Sequence, residues 1–123
     1  MDLMPRVTFC RPQIASLGYT EDEAREQGRT VKVGSFPFRA LGKATIVGEI
    51  DGFAKMVADA DTGELLGAHL IGAHAGDLLA EPTLARLVQA TTGEIAMSVH
   101  AHPTLTEVLA EAALAVDGAA IHV

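Results

Sequence analysis

The spacing of apolar residues changes character along the chain, and each change marks an element. Residues 7–10 form a short apolar run that predicts a strand. Thr20-Glu21-Asp22-Glu23 then reads as a capping box, with acidic residues suited to a helix start and Gly28 placed to end the helix. From Thr30 to Ile71 the pattern predicts strands: Val31-Lys32-Val33 alternates, residues 44–50 are rich in β-branched side chains, and residues 53–60 and 65–71 follow. Leu66, Ala68 and Leu70 are expected on one face. Gly52 and Asp61-Thr62-Gly63 supply turns, Pro37 and Gly42 bracket a loop, and such short connections imply antiparallel pairing.

After Gly72 the pattern becomes helical. Residues 75–90 are apolar nearly all round, which predicts burial on more than one side. Pro82 in their midst costs about 3 kcal/mol in an uninterrupted helix, so a kink or break is expected near Glu81. Thr91-Thr92-Gly93-Glu94 offers another cap, with a short helix to Ser98. In the last helix Leu105, Val108, Leu109, Ala112, Ala113 and Val116 form one buried stripe, and Gly118 ends it. These elements predict a single α+β domain over residues 1–123, an antiparallel sheet backed by helices.

Composition narrows the function. Hydrophobic residues make up 49% of the 123, enough for a packed core, but aromatics are only 4% and Trp is absent, so that core is built from small aliphatic side chains. A net charge of −7 with scattered Lys and Arg argues against nucleic-acid binding. Cys10 is the single cysteine, so no disulfide or dithiol centre forms within the chain. There is no apolar run of membrane-spanning length and no secretory signal, and a cytoplasmic protein is expected.

The stretch with most chemical content is His100-Ala101-His102-Pro103-Thr104-Leu105-Thr106-Glu107. Pro103 suits a first helical turn, which places His102 outside the last helix, at its entrance. Two residues five apart inside one helix stand about 140° apart around the axis and do not meet; from the loop, His102 can reach the Glu107 carboxylate. A carboxylate on one imidazole nitrogen fixes the tautomer and raises the basicity of the other, as a general base requires. The same residues carry a structural reading: Thr104-x-x-Glu107 is also a capping box, and Glu107 lies opposite the apolar stripe as any solvated residue does. Spacing alone leaves both open.

This segment resembles the His-x-His-Pro-Thr-Leu-Ser-Glu signature of dihydrolipoamide dehydrogenases, within the pyridine nucleotide-disulfide oxidoreductases, with Thr106 in place of Ser. Phe9-Cys10-Arg11-Pro12-Gln13-Ile14-Ala15-Ser16-Leu17-Gly18-Tyr19-Thr20-Glu21-Asp22-Glu23-Ala24 is similar to the opening of that family's interface domain. Asp51-Gly52-Phe53-Ala54-Lys55-Met56-Val57-Ala58-Asp59 is similar to its central strand, and Leu66-Gly67-Ala68-His69-Leu70-Ile71-Gly72-Ala73-His74-Ala75-Gly76-Asp77-Leu78-Leu79 resembles the strand and helix that follow. The resemblance runs in order over nearly the whole chain. It departs at Cys10, where an acidic or small polar residue is common, at Asp77 for Glu and at Pro82 for Ala.

The resemblance implies the interface domain of a homodimer that reaches into the partner subunit's active site. There His102 is the base that takes a proton from a dihydrolipoamide thiol, and Glu107 orients it. The peptide between His102 and Pro103, in the cis form, sits against the partner's flavin. The parent enzyme uses FAD and NAD; none is bound by this chain alone, which has neither a Gly-x-Gly-x-x-Gly loop after a strand nor a Cys-x4-Cys pair. The implied partners are the FAD and NAD domains of the parent and dihydrolipoamide on 2-oxo acid dehydrogenase complexes, with no nucleic acid and no membrane.

Other readings draw on the same residues. His100-x-His102 supplies two metal ligands where a zinc site needs three or four, and no Cys pair or carboxylate cluster joins them, so no metal is expected. Cys10 reads as a small buried residue, His69 as lying on the less buried sheet face, His74 as a loop residue and His122 as part of a frayed tail. The functional rivals are a dimerisation or binding module without chemistry, and the same domain of a glutathione or mercuric reductase.

Overall fold

The computed structural model describes residues 3–122; Met1, Asp2 and Val123 lie outside the described residues. Five strands, β1 (Arg6–Thr8), β2 (Gln13–Gly18), β3 (Val31–Pro37), β4 (Phe53–Asp59) and β5 (Leu65–Gly72), form one sheet in the order β1-β2-β5-β4-β3. Every neighbouring pair is antiparallel. The helices are α1 (Glu21–Glu26), α2 (Gly42–Val47), α3 (Ala75–Leu78), α4 (Ala80–Leu87), α5 (Thr92–Met97) and α6 (Glu107–Ala115).

The core lies between the sheet and the C-terminal helices. In register, Ala68 of β5 faces Leu17 of β2 on one side and Met56 of β4 on the other; these join Phe36, Phe38, Leu65 and Leu70 beneath Val108, Leu109, Ala112 and Ala113 of α6. Each such Leu or Phe, fully buried, is worth about 1.5–3 kcal/mol over leaving it exposed. The close seating of α6 depends on Gly34 in β3: a Cβ there would stand 2.3 Å from Ala112 O and from Val116 N. The other face of the sheet is thinner, with Ala24 of α1 packed on Val57 and Leu66.

The last two residues correct the expected face of Leu66. A β-bulge between Val57 and Ala58 shifts the pairing from Gly67 to Leu65, so Leu66 turns to the α1 face while Ala68 and Leu70 stay in the main core. Residues 44–50 are also corrected, from strand to helix α2. Gly48 takes the left-handed conformation (φ 75°), and its N–H and that of Glu49 close on Thr45 O and Ala44 O, a glycine-terminated helix end. Of that segment only Ala44 is buried, with Ile46 and Val47 exposed, so β-branching expressed no packing on a sheet. The strand expected at residues 7–10 is β1, which ends at Thr8; Cys10 follows in a turn and is exposed rather than buried. Strand β2, inside the sheet, had no distinct pattern of its own.

Both capping boxes form as expected, Thr20 with Glu23 and Thr91 with Glu94. The helix expected over residues 75–90 breaks at Leu79, and Pro82 sits in the first turn of α4, where its missing N–H is tolerated. That helix pair is not covered all round: Leu84, Leu87 and Val88 form an exposed apolar stripe. Arg86, on the inner side of α4, is 2% exposed; it donates to Leu65 O at 3.0 Å and lies over the Tyr19 ring.

Candidate functional site

Helix α5 ends at Ser98, whose N–H returns to Glu94 O and Ile95 O. The chain then crosses to α6 through a loop in which Val99, Ala101, His102 and Pro103 are exposed. His100 anchors it: its ring is buried, with Nε2 at 2.8 Å from Glu81 Oε1 on α4. Its Nδ1 is buried without a partner.

His102 follows, 71% exposed, with a cis peptide to Pro103. Its Nδ1 lies 3.0 Å from both carboxylate oxygens of Glu107, the first residue of α6. The Thr104 N–H also donates to Glu107 Oε1, at 2.9 Å. The Thr104 hydroxyl donates to Ala101 O at 2.6 Å and lies 2.7 Å from the Thr106 hydroxyl. The capping box expected at Thr104 does not form, because the N-cap of α6 is Thr106 and it makes no side-chain cap bond. Glu107 accepts the Thr104 N–H and meets the imidazole with the same carboxylate, while the Thr104 hydroxyl turns to Ala101 O. Pro103 is corrected from a first-turn position, since α6 begins only at Glu107. Glu107 is corrected too: its side chain is only 16% exposed, drawn in by these bonds.

The electrostatics follow from this geometry. Burial pushes the Glu107 carboxyl up, the largest single influence. The Thr104 N–H, the His102 hydrogen bond and the charges of His102 and His122 together outweigh it and hold the carboxyl below its ordinary value of 4.5. Glu107 thus stays ionised and accepts the Nδ1 proton, leaving the lone pair of a neutral His102 on Nε2. The larger opening, about 320 Å³, is lined by Cys10, Arg11, Glu49, Asp51 and His74 and includes neither His102 nor Glu107.

The remaining histidines separate. His69 lies on the less buried face, between Ser16 Oγ and Tyr19 O, and His74 is an exposed loop residue beside Asp77. His122 is corrected from a frayed tail: its ring and backbone are bound to Glu111. Among the described residues no group of three potential metal ligands converges, since His100 and His102 turn to different carboxylates. Glu81 and Glu111, the partners of His100 and His122, were not anticipated. The one available signal was Glu111 standing three residues from Val108, at the margin of the buried stripe.

A five-stranded antiparallel sheet under C-terminal helices, presenting an imidazole with its carboxylate on the surface, defines a domain class. The chain belongs to the pyridine nucleotide-disulphide oxidoreductase dimerisation domain family, which it matches over residues 4–113. Its relatives include the dihydrolipoyl dehydrogenase of Bacillus subtilis, 52% identical over 98% of this chain and 25% of that protein. Another is the dihydrolipoyl dehydrogenase of Corynebacterium glutamicum, 57% identical over 94% of this chain and 25% of that protein. Among solved structures, LpdA from Mycobacterium tuberculosis superposes with a TM-score of 0.84 at 23% identity, over 90% of this chain and 24% of that one. The flavoprotein disulfide reductase RclA from Escherichia coli gives 0.85 at 24%, over 89% and 25%; these two likenesses show the fold. The chain spans about a quarter of the length of the relatives it matches.

Proposed function

We propose that this chain is the interface domain of an FAD-dependent, NAD-linked dihydrolipoyl dehydrogenase, and that it supplies His102 and Glu107 to the disulfide site of a partner subunit. The observation that carries this reading is the His102 ring, 71% exposed, with Nδ1 held at 3.0 Å from both oxygens of the Glu107 carboxylate and its other nitrogen turned outward. In this reading, that outward face works on a site completed by another surface. In this role Nε2 of His102 takes the proton of a dihydrolipoamide thiol, and the resulting thiolate attacks a disulfide on the partner, since the thiolate is the nucleophile. Glu107 holds the tautomer and stabilises the imidazolium until the proton is returned.

FAD and NAD do not fit this chain by itself. Among the described residues the sheet is antiparallel throughout and offers no strand–glycine loop–helix unit to cradle a dinucleotide. In this reading both are held by the parts of the enzyme outside this quarter, and His102 with Pro103 lies against the partner's flavin. The chain alone binds neither and is inactive. The exposed stripe of Leu84, Leu87 and Val88 gives α4 an apolar face for a protein partner. The chain is therefore expected to self-associate, and a monodisperse monomer by light scattering counts against that. Dihydrolipoamide on a 2-oxo acid dehydrogenase complex is the proposed substrate and the cytoplasm the proposed location. No helix of the described residues is long and apolar enough to cross a membrane.

The test is His102→Gln in the full-length flavoprotein that carries this domain. Dihydrolipoamide turnover is expected to fall about 10²–10⁴-fold, the usual contribution of a general base, with flavin still bound. Turnover near the starting value would leave only a dimerisation module.

A further inference from the structure

The loop that carries His102 is not held by burial. From Ser98 to Pro103 every residue is exposed except His100, and Val99 is open to solvent on all sides. A segment with so few buried contacts opens at low cost unless something else ties it down. His100 supplies the tie: its side chain is only 9% exposed, and Nε2 lies 2.8 Å from Glu81 Oε1. Its other nitrogen is buried and makes no hydrogen bond among the described residues, so the Glu81 carboxylate is the polar hold on the ring there. Glu81 stands in the first turn of α4. That helix is seated on the sheet through buried Arg86, which donates to Leu65 O of β5 at 3.0 Å. From His100 the hold passes on through adjacent groups. Ala101 O accepts the Thr104 hydroxyl at 2.6 Å, and the Thr104 N–H donates to the Glu107 carboxylate that meets His102 Nδ1. His102 thus sits between two fixed points, Glu107 on α6 and, two residues back along the chain, the contact of His100 with α4.

We propose that Glu81 and His100 are positioning residues for the acid–base pair: their contact anchors the loop to α4 and so fixes where the outward nitrogen of His102 stands. Neither touches substrate. The proposal rests on the reading of His102 as the base, and it adds a second support to the one that Glu107 gives. Proton transfer needs the base within hydrogen-bond reach of the thiol, and a displacement of about 1 Å costs on the order of 10²-fold in rate. Glu107 sets the tautomer of the ring; the contact between Glu81 and His100 sets its place.

The test is steady-state dihydrolipoamide turnover by the full-length flavoprotein that carries this domain, normalised to bound flavin. H100A and E81A are each expected to lower kcat about 10–100-fold with KM little changed. The double variant should fall no further than either single one, since both remove the same contact. H100Q and E81Q, which keep polar groups able to bond across the same gap, are expected to recover most of the loss. In an H102Q background H100A should cost nothing more, because no base is left to place. Unchanged kcat in H100A and E81A beside a severe loss in H102Q overturns the positioning role and leaves the acid–base pair intact. So does a loss carried wholly by KM, one that H100Q and E81Q do not relieve, or one that H100A repeats in full on top of H102Q. Near-normal turnover in H102Q strikes at the base itself, and the positioning role falls with it.

Discussion

The two sides of α6 are held by different forces. Its inner side is fixed by burial: Val108, Leu109 and Ala112 are wholly inaccessible, and the backbone at Ala112 and Val116 lies close on Gly34. Its mouth is fixed by hydrogen bonds that gather Thr104, His102 and Glu107 around one carboxylate, with the ring of His102 left 71% exposed. Burial is strong and indifferent to the chemistry of the side chain beyond its shape. Polar bonds at a surface add little net stability but fix orientation and protonation. The scaffold and the site can therefore be damaged separately.

The largest effect is expected on the inner side. Phe36→Ala removes a fully buried ring from the sheet face and should cost about 3–5 kcal/mol of unfolding free energy, measured by urea denaturation. Gly34→Ala introduces a Cβ where α6 backbone already stands and should cost about 1–3 kcal/mol, or displace the helix. Thr20→Ala, which removes the α1 cap far from the site, should cost about 1 kcal/mol.

Smaller still is the acid dependence that Glu107 contributes. Its folded value is depressed, so its stabilisation is present above the ordinary value of 4.5 and is lost as pH falls through the lowered one. Glu107→Gln is expected to flatten the loss of stability between about pH 5 and pH 3, with Glu21 and Asp59, also depressed, supplying the remainder in both proteins. Last, His102→Gln should change stability by no more than about 0.5 kcal/mol, as surface substitutions usually do. A loss comparable to that of Phe36→Ala would show that site and scaffold are not separable and would break the comparison.

Legibility in the sequence followed the same division. Elements with a local cause were readable: the capping boxes at Thr20 and Thr91, the break forced by Pro82, the stripe on α6. Residues 44–50 were misread because β-branching is a weak preference, while the decisive signal was the single glycine at position 48 that ends α2. Leu66 was misplaced because one bulge reverses the alternation that precedes it. At the site, the contact of His102 with Glu107 was legible from a spacing of five residues, although Pro103 does not open α6 as that argument assumed, whereas His100 with Glu81 and His122 with Glu111 join residues 19 and 11 positions apart.

By itself the sequence determined the α+β class, the small-aliphatic core, and a motif able to bring an imidazole to a carboxylate at a helix entrance. Each of these depends on neighbours within a few residues, where backbone geometry leaves few choices. Only the tertiary structure decided that Glu107 serves as both helix tie and imidazole partner, that Glu81 pins the loop bearing His102, and that the tail returns to Glu111. Those outcomes depend on which surfaces burial brings together, and spacing along the chain carries no record of contacts made across it.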